Sequence, residues 1–197
     1  MRVISGRAKG KRLKAPPGMD TRPITDMIKE ALFNVLGANV VNAKFLDLFA
    51  GSGSVGIEAL SRDAQTVVFV DYSQDAIKTI KDNLNHCSLL YGYEIYKNDV
   101  VAAVKRLKKR QLLFDFIYVD PPFTQENIFP KIMTVLDEAH ILEPDGTLII
   151  RTPKKMHLQE KFNKITRFRV SNYGESTLNY YQIIKEVNNN NGNSAYY

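Results

Sequence analysis

The chain has 197 residues, 44% of them hydrophobic and 24% charged, with a net charge of +6. That is the length and composition of one globular domain and excludes a disordered or fibrous class. The single cysteine, Cys87, excludes an intrachain disulfide, no apolar leader follows Met1-Arg2, and no apolar run approaches the roughly 20 residues of a bilayer span, so a reduced, cytoplasmic protein with no membrane partner is expected.

The positive charge gathers at two places. Residues 1–20 carry six basic side chains against Asp20 alone, and residues 151–169 carry seven against Glu160, whereas residues 21–150 hold 13 basic and 17 acidic residues. An acidic middle between two basic segments points to a polyanionic partner at the ends. In chain order, Val3–Arg7 and Gly10–Lys14 read as two short strands around a glycine-bearing turn, a ribbon that could lay Arg7 and Arg12 along a phosphate backbone. After the break at Pro16-Pro17-Gly18, apolar residues at 28, 31, 32, 35 and 36 predict a core-facing helix with Thr25 as N-cap and Gly37 just past its end.

From Lys44 onward, short apolar runs alternate with helical stretches. Strands are expected at Phe45–Phe49, Thr66–Val70, Tyr93–Lys97, Asp115–Val119 and Thr147–Arg151, with helices at about 54–62, 74–86, 100–110 and 126–139. This alternation predicts βαβ units around a parallel sheet covered on both faces. Ile165–Val170 and Thr177–Ile184, around a turn at Asn172-Tyr173-Gly174, predict an antiparallel edge hairpin. The domain is expected to span 1–187, with 1–20 as its basic ribbon and the Asn-rich residues 188–197 as a disordered tail.

Two motifs carry chemistry. Gly51, Gly53 and Gly56 follow the first strand in a G-x-G-x-x-G pattern, and Asp71 ends the second strand 20 residues later, a nucleotide fingerprint in which glycines allow close backbone approach and the acid bonds ribose hydroxyls. Asp47 just before the loop would repel a dinucleotide pyrophosphate but suits the ammonium of S-adenosylmethionine. The fourth strand ends in Asp120-Pro121-Pro122-Phe123, which the switch point of a doubly wound sheet brings beside the glycine loop. An exocyclic amine is a poor nucleophile because its lone pair is delocalised into the ring. The Asp120 carboxylate and the Pro121 carbonyl would accept from its hydrogens, the prolines fix the loop, and Phe123 offers a face for a base taken out of its stack.

These residues resemble class I S-adenosylmethionine-dependent amino-methyltransferases. With Arg2–Gly6, Gly10–Leu13, Arg22–Asp26, Glu30–Asn34 and Glu58–Arg62, the chain from Arg2 to about Glu186 is similar to the RsmD family of 16S rRNA guanine-N2 methyltransferases. The resemblance implies a Rossmann-like α/β fold, a seven-stranded mostly parallel sheet with an antiparallel edge hairpin plus the N-terminal ribbon and helix, and methylation of a guanine N2 in 16S rRNA, in an assembling small subunit or as free RNA. It further implies that Asp47 and the Gly51 and Gly53 backbone meet the methionyl part of the cofactor, that Phe49 and Ser52 also bind it, that Asp71 holds the ribose, and that Asp99 faces the adenine amine. Asp120, Pro121, Pro122 and Phe123 would form the base pocket, with Arg22 and Thr25 at its mouth.

The histidines 86, 140 and 157 share no metal-ligand spacing, so no metal is expected. Lys105–Arg110 reads as the last turn of a helix facing its negative dipole end, and Tyr180 and Tyr181 as packing residues, one of which could line the base pocket. The rival functions are a DNA adenine-N6 or cytosine-N4 methyltransferase, an NAD-dependent oxidoreductase and a noncatalytic RNA-binding protein.

Overall fold

The computed structural model describes residues 1–18 and 24–185. Arg22 and the Asn-rich tail lie outside the described residues. The elements are α1 (Asp26–Leu36), a 3-10 turn (Gly37–Val40), β1 (Lys44–Leu48), α2 (Ser54–Ser61), β2 (Thr66–Asp71), α3 (Gln74–His86), β3 (Tyr93–Lys97), α4 (Val100–Lys109), β4 (Phe114–Val119), α5 (Ile128–Ala139), β5 (Leu142–Pro153), β6 (Ile165–Tyr173) and β7 (Ser176–Ile183). They form one seven-stranded sheet in the order β3-β2-β1-β4-β5-β7-β6. β1 to β5 run parallel, and β7 and β6 join antiparallel at one edge, the expected α/β architecture.

Alternation along the central strands sorts their side chains into two apolar layers. Phe45, Val67, Phe69, Phe116, Tyr118 and Ile149 face α1, α2 and α3, while Leu46, Leu48, Val68, Val70, Ile117, Val119 and Ile150 face α4 and α5. Both strand tyrosines, Tyr180 and Tyr181, are fully buried in these layers, which gives them the packing role. Gly56 is needed for the close approach of α2 to the sheet, because a Cβ there would come within 2.3 Å of the Phe69 ring.

Three boundaries differ from expectation. β5 starts at Leu142 because its ladder with β4 continues through an irregularity, Phe114 pairing with Leu142 and Phe116 with Thr147. The β6–β7 turn falls at Gly174-Glu175, with Tyr173 opposite Ser176, and Gly174 takes the positive φ (+56°) of the tight turn. The N-terminal ribbon is not a pair of strands. It has one antiparallel bridge, Arg2 to Arg12, with Val3 N–H donating to Lys11 O and Gly10 N–H to Val3 O.

What fixes that ribbon is a buried carboxylate in α2. Glu58 is fully buried and accepts from the backbone N–H groups of Ile4 (2.8 Å) and Ser5 (3.0 Å) and from Arg62 Nε (2.9 Å). Lys29 Nζ on α1, also buried, lies 3.3 Å from Glu58 and donates to Arg2 O (2.7 Å) and Ser54 Oγ (3.0 Å). Burial pushes the Lys29 ammonium below the usual lysine range, and Glu58 opposes that shift. Glu58→Ala removes one partner of a buried ion pair and strands two backbone donors, so a loss of about 3–5 kcal/mol in unfolding free energy is expected. Denaturant melts at constant pH measure it.

Candidate active site

β1 and β4 are neighbours in register, Leu48 beside Val119, and the Asp120 N–H donates to Leu48 O at 3.3 Å. The glycine loop after β1 and the Asp-Pro-Pro-Phe segment after β4 therefore leave the sheet side by side. Both line one cavity of about 600 Å³, together with Asp47, Phe49, Ser52, Asp71, Tyr118 and Arg151. The chain turns out of β1 through Phe49, whose positive φ (+59°) is uncommon for a residue with a side chain, and enters α2 through Gly53 at φ +74°.

The acids of the glycine loop bind backbone as well as lining the cavity. Asp47 Oδ2 accepts the Gly56 N–H of the first turn of α2 (2.9 Å), an unpaired donor of the helix start supplied from the neighbouring strand. Asp71 accepts Gly51 N–H (2.8 Å) and Ser73 N–H (2.9 Å), so it also pins the loop it faces. Burial pushes Asp47 well above the usual carboxylate range; the Gly56 N–H pulls it back, and Asp120 and Asp71 push it further up. Asp71 is raised by burial as well, against its backbone hydrogen bonds. Two buried carboxyls, Asp47 and Asp71, on the wall of one cavity favour a cationic occupant.

At the β4 end, Asp120 Oδ1 lies 2.9 Å from Arg151 Nε and Oδ2 accepts from the Tyr118 hydroxyl at 3.2 Å. Burial raises the Asp120 carboxyl, with Arg151 the largest influence in the other direction. Phe123 is half-buried, its ring centroid 6.4 Å from that of Phe129 and 4.9 Å from the Arg151 guanidinium carbon. Tyr118 and Arg151 had no place in the sequence-derived site. A cation ending the apolar run Leu148-Ile149-Ile150, in phase with Ile149, was the available signal.

The N-terminal segment is a wall of the same cavity, through Met1, Ala15, Pro16, Gly18 and Ile24. Asn83 on α3 clamps it. Its side chain accepts Lys14 N–H (2.9 Å) and donates to Lys14 O (3.0 Å) and to Ser52 O in the glycine loop (2.9 Å).

Other sequence-derived site residues are not among those lining this cavity. Asp99 caps α4, accepting Ala102 N–H at 3.1 Å, and lines an adjoining open hollow that shares Thr124 and Gln125 with the cavity. Thr25 caps α1 by accepting Ile28 N–H at 3.3 Å and is not among the cavity-lining residues. Arg7 pairs with Asp63 (2.9 Å) and donates to Leu60 O (3.0 Å), tying the ribbon to the end of α2, whereas Arg12 is exposed. Among the described residues no His, Cys, Asp and Glu cluster suits a metal ion, and no helix is long and apolar enough to cross a membrane.

The family described as conserved hypothetical protein 95 matches residues 1–182. The chain is 40% identical over 174 residues to YlbH of Bacillus subtilis, described as a candidate rRNA methyltransferase, covering 88% of this chain and 94% of that one. It is 33% identical over 156 residues to the ribosomal RNA small subunit methyltransferase D of Haemophilus influenzae, covering 78% and 79%. Among solved structures, the candidate methyltransferase yhhF of Escherichia coli superposes with a TM-score of 0.80 at 25% identity over 93% of this chain and 97% of that one. With its glycine loop and Asp-Pro-Pro-Phe segment facing one cavity, and matched over 78% to 93% of its length by these relatives, the chain belongs to the RsmD family of S-adenosylmethionine-dependent small-subunit rRNA methyltransferases.

Proposed function

We propose that this chain methylates the exocyclic N2 of a guanine in 16S rRNA, taking the methyl group from S-adenosylmethionine and leaving S-adenosylhomocysteine. The observation that carries this reading is the shared cavity: two motifs some 70 residues apart in sequence meet across the β1–β4 contact. The donor set fits the cofactor, since Asp47 and Asp71 offer carboxylates to an ammonium and to ribose hydroxyls while Phe49, Gly51 and Ser52 border the space between them and Gly53 turns the loop into α2. When bound, S-adenosylmethionine supplies a methyl group on a positively charged sulfur.

The protein's part is to hold the amine. An ionised carboxylate accepts hydrogen bonds and donates none. Guanine sets N1–H and N2–H donors side by side, which an acceptor-only Asp120 can receive together. With the Pro121 carbonyl as a second acceptor, the N2 lone pair is turned out of conjugation and toward the methyl group. Phe123 provides the stacking face, and the proton can leave after transfer, so no general base is assigned. The small ribosomal subunit RNA is the partner on this reading, with exposed Arg12 on the ribbon as a phosphate contact.

Labelled methyl transfer to small-subunit rRNA and to duplex DNA, followed by mass spectrometry of the nucleosides, tests the reading. N2-methylguanosine is expected, and label in DNA alone defeats it. Asp120→Ala should slow transfer by about 10²–10³-fold while S-adenosylhomocysteine affinity by calorimetry changes little. Asn83→Ala, which releases the N-terminal wall, should instead weaken S-adenosylhomocysteine binding about tenfold. Arg12→Ala should lower the salt dependence of RNA binding by about one counterion, read from affinities across a salt series.

A further inference from the structure

Resting on that reading and deepening it, we propose that Arg151 is a positioning residue of the base pocket: its guanidinium, shared between the Asp120 carboxylate and the Phe123 ring, holds both groups in the arrangement that receives the target guanine. Strand register brings the three together. Val119 pairs with Ile150 on parallel neighbours, so the next residue on each strand, Asp120 and Arg151, stands side by side at the carboxyl end. Alternation turns Arg151 to the same face as Ile149, the face on which Tyr118 packs.

The side chain of Arg151 is only 6% exposed and that of Asp120 only 16%. An ion pair this dry carries a far larger desolvation cost than a surface pair, which marks it as a built feature of the cavity wall rather than a solvated contact. The planar guanidinium can meet a carboxylate edge-on while a ring lies against its flat face; the 2.9 Å and 4.9 Å separations describe that double use. Phe123 is braced from another side by Phe129.

The charged and titratable groups that face Asp120 come from three strands: Arg151 on β5, the Tyr118 hydroxyl on β4, and Asp47 on β1, which repels it. Burial favours the protonated acid, and Arg151 is the strongest influence toward the anion. Without the guanidinium the carboxyl titrates at higher pH. A protonated Asp120 turns one oxygen into a donor, which the guanine N1–H and N2–H edge cannot use. The acid limb of methyl transfer therefore moves to higher pH when Arg151 loses its charge.

The test compares wild type, Arg151→Met and Arg151→Lys in the full chain, by carbon NMR titration of Asp120, single-turnover methyl transfer to small-subunit rRNA against pH, and S-adenosylhomocysteine affinity. In Arg151→Met, Asp120 is expected to titrate at higher pH and transfer at neutral pH to fall about 100-fold, with part of the loss regained as pH rises. Arg151→Lys restores the charge without the fork or the flat face, so it should keep the wild-type pH dependence and remain about tenfold slow. Cofactor-product affinity should move far less than the rate in both. An unmoved Asp120 titration in Arg151→Met overturns the proposal, as does a loss equal in both variants and uniform across pH, the pattern of a merely structural role. Should Arg151→Met not fold, a wild-type rate in Arg151→Lys overturns it. A wild-type chain that binds S-adenosylhomocysteine yet methylates no ribosomal RNA defeats the functional reading instead, and the Asp120 titration still decides whether Arg151 holds the carboxylate.

Discussion

The hydrogen-bonded contact between β1 and β4 at the centre of the sheet sets the geometry of everything above it. Because Leu48 and Val119 are level in the ladder, the two chain segments that leave the sheet there begin only a strand spacing apart, roughly 4.8 Å. A one-residue slip would send Asp120 to the opposite face, away from Asp47 and Tyr118. The register is protected by apolar side chains on both faces of both strands, fully or almost fully buried, so the placement of the polar groups is fixed by packing that has no chemistry of its own.

Around that centre, polar groups in this region serve two ends at once. Asp47 and Asp71 each satisfy backbone donors of the glycine loop and the α2 start while remaining on the cavity wall. A carboxylate has lone pairs enough for both, and the backbone bonds hold it in place before any ligand arrives. Glu58 and Asn83 act in the same manner one layer out, joining the N-terminal segment to α2, α3 and the glycine loop.

Much of this was legible from spacing alone. The five parallel strands and their helices follow from alternating apolar runs, and the cap Thr25 from residue type at a helix start. The pairing of Gly51–Gly56 with Asp120–Phe123 followed from sheet topology. The ribbon was misread because its lysines and arginines dominate the local pattern, while Val3, Ala8 and Leu13, which are buried, are too few to show a period. Its anchor, Glu58, is more than 50 residues away, and no local rule links them. Asp99 illustrates a different limit: an acid just before a helix fits a cap and a ligand contact equally, and the coordinates show the cap, with Asp99 accepting the Ala102 N–H. Arg151 counted as one more cation of a basic stretch because charge sums ignore which face of a strand a residue occupies.

The two outer strands of the sheet also bear on how copies of the chain behave toward each other. β3 has five residues, with Glu94 and Lys97 among them, and β6 carries Arg167 and Arg169 on either side of a register irregularity. Unpaired strand edges invite another chain to add a strand, and short length, charge and a local bulge all discourage that addition. With Phe168 and Val170 about half exposed on β6, the exposed Arg169 and the register irregularity discourage strand addition along its second half, while Glu160–Phe162 already pair with Ile165, Thr166 and Arg167 along the first.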